Sequence, residues 1–378
     1  MSREHSSLCR ANLNDLRLYH QLTEELFNLL KDPLFADPSI LDSLYSEIIQ
    51  PVGQFINHLA FAKFTGVVAR SKVDLTEAEA LLRKTEESFT KDSQKEAQLF
   101  VKTELAHILL LKNEGKAAFE GLEVVREGLE QSAGMDNSVW SQFYQCRMEY
   151  FAAINDPSAY YTNGMLYVGF LPENSVLEET VSVSLAWAAL TAPNVFNFGE
   201  LLLLPAFSVV RESANYAWLM SLMEALHQGN PGALSHVPPR IATPPNAAGT
   251  FRFAPSLEKL DMTQLQMKLH ICTLLDLLLR RHQNVGQSRS TILTLQFVAD
   301  RCQLALLETE LLIIRALSLG LIRGRINQVN GTVDVTWVKP RVLQLEQLWE
   351  LKGQLLQWQQ SVHNLSEKIE GQNMELAV

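Results

Sequence analysis

Residues 306–338 read LLETELLIIRALSLGLIRGRINQVNGTVDVTWV, and their pattern decides the fold. The first part, 306–319, is almost wholly apolar at helical spacing, and Gly320 follows as a left-handed terminator. Residues 322–329 and 332–338 are rich in β-branched side chains and flank Asn330-Gly331. That dipeptide accepts the positive φ values of a tight hairpin turn. Just upstream, 290–295 reads as a short strand and 296–302 as one or two helical turns. Strand, helix, helix and a two-stranded wing predict a winged-helix domain over about 289–341. In the wing, Val333, Val335 and Trp337 alternate with Thr332, Asp334 and Thr336, which gives one apolar and one polar face. The apolar face either packs on the wing's own helix or, with an edge strand's unpaired backbone, receives a neighbouring chain. Val333, Val335 and Trp337 are therefore candidate partner-binding residues.

Past Pro340 a last helix is expected. Its apolar residues Leu348, Leu351, Leu355, Trp358, Val362, Leu365 and Ile369 follow steps of three and four, a heptad seam. Such a narrow stripe suits bundling with helices from elsewhere better than folding back on one domain, which takes a wider stripe. These seven residues complete the candidate partner-binding set.

Upstream, from Asn12 to His227, apolar stripes at helical spacing alternate with short polar breaks. The stripes include Leu13, Leu16, Leu22 and Leu26, then 40–49, 55–68, 77–89, 96–111, 117–129, 139–154, 158–169 and 177–190. Breaks are expected at Asp32-Pro33 and Pro51, among others. Helix pairs recurring every 35–40 residues or so suggest a helical-repeat solenoid. Several helices, 99–111 above all, are apolar on more than one face, as a middle layer requires. Six of the 14 prolines fall between Gly229 and Pro255, so this stretch reads as a loop. The chain thus divides into a repeat array (1–228), a proline-rich loop (229–255), the end of the array with the winged helix (256–341) and a bundling helix (342–378).

Composition narrows the function. Hydrophobic residues make up 47% and charged residues 20%, enough to bury sizeable cores. Lys and Arg number 32 against 42 Asp and Glu, and the net charge of −10 disfavours general nucleic-acid binding. The helix 306–319 would be the recognition helix of a DNA-binding winged helix, yet its only charges are Glu308, Glu310 and Arg315. Arg323, Arg325, Lys339 and Arg341 form a modest basic cluster near the wing that could touch nucleic acid or an acidic protein surface. Cys9, Cys146, Cys272 and Cys302 have no metal or disulfide spacing, and no membrane span or export signal is expected. His270 and Cys272 stand two apart on a helix and so on different faces, core residues rather than a dyad. No zinc-protease, nucleophile-elbow or phosphate-loop motif occurs, so no enzyme activity, catalytic residue, cofactor or metal is expected.

A helical array, a winged helix and a terminal helix in this order resemble the PCI-domain proteins of the proteasome lid, the signalosome and a translation initiation factor. The resemblance to a lid subunit runs through Leu18-Tyr19-His20-Gln21-Leu22-Thr23, Asp32-Pro33-Leu34-Phe35, Lys102-Thr103-Glu104, Phe143-Tyr144 and Asn197-Phe198-Gly199-Glu200-Leu201-Leu202. It is densest in Arg315-Ala316-Leu317-Ser318-Leu319-Gly320-Leu321-Ile322-Arg323-Gly324 and Thr336-Trp337-Val338-Lys339-Pro340-Arg341-Val342-Leu343. The proline-rich stretch departs from the family pattern. The resemblance implies a mainly α fold: a right-handed solenoid of antiparallel helix pairs, a winged-helix (PCI) domain and a long C-terminal helix. It also implies a non-catalytic scaffold subunit of a hetero-oligomer in cytoplasm and nucleus. Its partners would be other PCI-containing lid subunits and a C-terminal helix bundle, with no membrane and no nucleic acid. Scaffold roles in the signalosome or the initiation factor, and a winged-helix nucleic-acid binder, stand as alternatives.

Overall fold

The computed structural model of the chain describes residues 19–30, 38–53, 55–89, 94–132, 134–172, 177–204, 207–213, 215–230, 261–283, 292–341 and 345–375. The readings of Leu13, Leu16, Asp32-Pro33 and most of the proline-rich stretch lie outside the described residues. The described residues are mainly helical, with one three-stranded sheet. They fall into two compact units, one ending at Pro172 and the other starting at Leu177.

The first unit contains α1 (Tyr19–Leu30), α2 (Pro38–Leu44), a π-helical turn (Tyr45–Ile49), α3 (Gln50–Val52), α4 (His58–Ser71), α5 (Leu75–Ser88), α6 (Lys95–Leu111), α7 (Gly115–Gln131), α8 (Asn137–Ile154) and α9 (Pro157–Gly169). Local chemistry fixes most boundaries. Asn57, Asp74, Asp136 and Asp156 each accept a backbone N–H of the first turn of α4, α5, α8 and α9. Asn155, at φ 64°, ends α8, and Pro157 opens α9 at once. Pro51 does not break the chain as expected. It sits in the first turn of α3, where its missing donor is not needed, and the preceding π turn carries the helical path into it.

Each of α4, α6 and α8 packs on the helix that follows it, and α6 packs on both α4 and α8. These three helices begin 37 and then 42 residues apart. Two-sided burial makes the row possible. On α4, Ala60, Phe64 and Val68 enter one apolar cluster with Leu22, Leu26 and Ile49, while Leu59, Ala62 and Ala69 enter another with Leu82, Val101 and Phe143. The apolar faces of α6 are buried as its sequence requires, Val101 and Ile108 towards that second cluster and Leu109 and Leu110 towards a third.

Contacts to two buried carboxylates, Glu104 and Glu149, cross the same row. Arg70 of α4 grips Glu104 of α6 with two bonds, Nε–Oε2 at 2.8 Å and Nη2–Oε1 at 3.1 Å. Further along, His107 of α6 lies 2.8 Å from the Glu149 carboxylate of α8, both buried. Gly66 leaves room for the Glu104 side chain, since a Cβ there would lie 3.1 Å from it. Burial, with Glu149 and Glu104 nearby, raises the Cys146 thiol well above its ordinary value and keeps it protonated.

The second unit contains α10 (Glu179–Thr191), α11 (Gly199–Leu203), α12 (Ser208–Glu212), α13 (Ala217–His227), α14 (Met262–Gln283), β1 (Ile292–Thr294), α15 (Leu295–Cys302), α16 (Leu306–Ser318), β2 (Ile322–Asn327), β3 (Thr332–Val338) and α17 (Leu345–Glu375). From Ser182 to Leu190, α10 is buried on every side. Lys268 of α14 reaches its end and donates to the carbonyls of Ala189 and Leu190, each at 2.8 Å. Its amine also stands over the faces of Phe196 and Phe198. The winged helix follows in the expected order. Gly320, at φ 66°, ends α16, with the N–H of Leu321 bonded to Ala316.

Two predictions follow from these buried ions. Arg70→Met strands the Glu104 carboxylate and should cost about 3–5 kcal/mol, read by urea unfolding of the full chain. Adding Glu104→Leu should recover most of that loss. Desolvation pulls the Lys268 amine from 10.5 down to about 7. Between these values the unfolded chain holds a proton that the folded chain releases, so this group adds stability as pH rises through the window. The urea midpoint of the wild type should therefore climb, relative to Lys268→Met, from about pH 7 to about pH 9.

Candidate assembly surfaces

The sheet order is β1-β3-β2, with both pairings antiparallel. β3 is central over Thr332–Asp334, where it pairs with both β1 and β2, and from Val335 to Val338 it pairs with β2 alone. The turn differs from the expected one: four residues, Gln328 to Gly331, join the strands, and only Gly331 takes a positive φ, 59°. The Nε2 of Gln328 donates to Glu310 of α16, so the hairpin tip is tied to its own helix.

A bulge reorganises the wing's faces. Arg323 pairs with Trp337 and Gly324 with Val335, which leaves Thr336 as an extra residue on β3. Its hydroxyl donates to the carbonyl of Arg323 at 3.1 Å. Gly324 permits the close approach, since a Cβ there would stand 2.3 Å from the carbonyl oxygen of Asp334. Inward residues are Val333 and Val335 before the bulge and Val338 after it. Val333 and Val335 are 3% and 2% exposed and belong to the domain's own core, so they offer a partner no surface. Trp337, expected on the same face, is instead 38% exposed, with the Arg323 guanidinium 4.9 Å from its ring. Arg325 and Lys339 are exposed nearby in sequence, but Arg341 turns inward to His227 and leaves the basic cluster.

The heptad seam has the exposure expected of it. Leu348, Leu351, Leu355, Trp358, Val362, Leu365 and Ile369 are 41–68% exposed, and every described side chain of α17 is exposed. Trp349 and Leu356 add apolar surface on another side of the helix, with Lys352 Nζ 4.8 Å from the Trp349 ring.

Sequence reasoning missed a second apolar face. On α16, Leu312, Ile313 and Ala316 point into the core, while Leu307, Leu311 and Ile314 line the outside with Leu306 beside them. Their spacing of four and three is legible in the sequence as a stripe. The outward face of α16 is apolar and suits protein contact. Cys272 is buried against the carbonyl of Phe196, and His270 is half-buried with its pKa lowered by desolvation. Among the described residues, no cluster of side chains could hold a metal ion and no helix is long and apolar enough to cross a membrane.

A family model described as PSD13 N-terminal repeats matches residues 11–223. The chain is 28% identical to the 26S proteasome non-ATPase regulatory subunit 13 homolog B of Arabidopsis thaliana, over 97% of this chain and 93% of that protein. It is 26% identical to the 26S proteasome regulatory subunit RPN9 of Saccharomyces cerevisiae, over 96% and 91%. With the 26S proteasome non-ATPase regulatory subunit 13 of Dictyostelium discoideum the identity is 25%, over 95% and 91%.

Adjacent leucines on α16 separate surface from core. Leu312→Ala should cost about 2–5 kcal/mol of stability. Leu311→Ala, 59% exposed in the folded chain, should stay within about 0.5 kcal/mol of the wild type in the same urea unfolding measurement.

Proposed function

The chain belongs to the PSD13 N-terminal repeat family, and we propose that it is a non-catalytic scaffold subunit of the 26S proteasome regulatory-particle lid. In that role it supports ATP-dependent degradation of ubiquitinated proteins by holding other subunits in place. Relatives named for the 26S proteasome favour this reading over the signalosome or the initiation factor.

Its mechanism is positional. The array of residues 1–228 winds as a right-handed solenoid, the winged helix within 256–341 meets neighbouring PCI subunits, and the terminal helix within 342–378 enters a bundle of like helices. Trp337 and the exposed stripe of α16 supply contact surface on the winged helix. The complex works in cytoplasm and nucleus, with no membrane or nucleic-acid partner.

One observation carries the reading: seven apolar residues in heptad register along α17, all exposed. Complete burial of such a side chain stabilises by about 1.5–3 kcal/mol, and about half of each is still open to water, so covering the seam yields roughly 5–10 kcal/mol. Lost translational and side-chain freedom offsets part of this. Helices from other polypeptides gain the same way, which makes the bundle cooperative.

The test is a chain truncated after Leu343, expressed with a tag in cells and followed on native gels. It should keep its helical circular dichroism and fail to enter the lid. Leu355→Asp with Trp358→Asp, both on exposed positions, should do the same with the helix still present. Entry of either variant at the wild-type level would refute the assembly role of the seam.

A further inference from the structure

Trp349 and Leu356 lie off the seam of α17, and Gly353 stands between them, four residues after the first and three before the second. At about 100° per residue, this trio faces about 150° away from the seam residues Leu348, Leu351, Leu355 and Trp358. Trp349 is 67% exposed and Leu356 49%, and a Cβ built on Gly353 meets nothing within 4 Å. Two large apolar side chains thus flank a gap. Glycine weakens a helix interior more than any residue but proline, and nothing in the chain itself needs the missing Cβ. Beyond Leu356 the stripe turns polar: its next positions are Gln360, His363 and Glu367, with His363 3.3 Å from Glu367. The face is therefore about 10 Å long, against about 32 Å for the seam from Leu348 to Ile369.

Charge marks its rim. Lys352 holds its Nζ 4.8 Å from the Trp349 ring. The residues three and four positions to either side of Lys352 are Leu348, Trp349, Leu355 and Leu356, so no carboxylate of the helix stands at ion-pairing spacing. An ammonium set against an indole with no acid beside it is complementary to a carboxylate from outside.

We propose that Trp349, Gly353 and Leu356 form a second docking face of α17, for a helix of another subunit that crosses at Gly353 and sets a carboxylate against Lys352. The inference rests on the reading that α17 enters a bundle in the lid. Length selects the occupant. A helix running alongside would call for an apolar stripe as long as the seam, whereas a crossing helix covers a patch of about its own diameter, about 10–12 Å. The gap at Gly353 lets the two axes approach to the short end of the usual range of about 8–10 Å. The first half of α17 then lies between two neighbours, and the half beyond Trp358 against one.

The test uses full-length variants expressed in cells and followed on native gels. Gly353→Ala and Gly353→Leu should leave the purified chain at least as helical as the wild type by circular dichroism. Incorporation into the lid should nonetheless fall, severalfold for Gly353→Leu and less for Gly353→Ala, and Lys352→Glu should also lower it severalfold. Ser361→Leu, exposed on a flank between the two faces, should enter normally. Full incorporation of Gly353→Leu, or an equal loss in Ser361→Leu, overturns the proposal. The occupant is read in the assembled complex from a photoreactive benzophenone side chain placed at Trp349 or at Leu355, with adducts mapped by mass spectrometry. Position 349 should crosslink to a helical segment other than the one reached from 355. Adducts confined to a loop or strand, to a second copy of this chain or to the segment reached from 355 overturn the proposal, as does no adduct at 349 where 355 gives one. Failure of the scaffold reading would look different: the wild-type chain would itself stay out of the lid.

Discussion

A helix of 31 residues that buries none of its described side chains, yet carries an apolar seam along its length, is a constraint on everything before it. Isolated helices are marginal in water, and an uncovered seam gives this one no tertiary packing to lean on. The stable form of such an element is in company. Before it, the sheet delivers the chain to Pro340, and Arg341 joins the sheet's exit to α13. A domain that merely read a ligand would have no use for so long an unsupported projection.

The first unit meets a different demand, that of rigidity over a long stack. Apolar burial on two faces of α4 and α6 supplies cohesion, but such contacts are tolerant of slippage by a residue or a turn. The Arg70–Glu104 fork is not, because its two bonds fit one register of α4 against α6. Between α6 and α8, His107 lies 2.8 Å from Glu149. Buried ion pairs contribute little net stability once desolvation is counted, so their value here is in register. A scaffold has reason to accept that trade.

Elements that depend on neighbours in sequence were legible. The helix stripes, Gly320 and the order of the winged helix all follow from spacing and local backbone chemistry. What depends on another element was not. Arg70 and Glu104 are 34 residues apart, and nothing in either segment names the other. The bulge at Thr336 inverted the strand alternation and moved Trp337 outward, and it involves the close approach that Gly324 permits to Asp334 on the other strand. The order β1-β3-β2 covers the first three residues of β3, because a three-residue strand far upstream pairs with them. Of the candidate site, the seam was therefore legible residue by residue, and the wing was not.

The outer face of the winged helix differs from that of a DNA-reading domain. A DNA-reading domain needs a polar and basic outer face on its second helix and a wing free to follow the phosphate backbone. Here Leu307, Leu311 and Ile314 occupy that outer face, and Gln328 at the wing tip is bonded to Glu310 of the same helix. Of the basic residues around the wing, Arg323 lies over Trp337 and Arg341 is turned towards α13. Water is a poor neighbour for the leucine face and phosphate a worse one, since neither offers apolar contact. A protein surface does, and it can leave Arg325 and Lys339 at a polar rim where charge selects the partner.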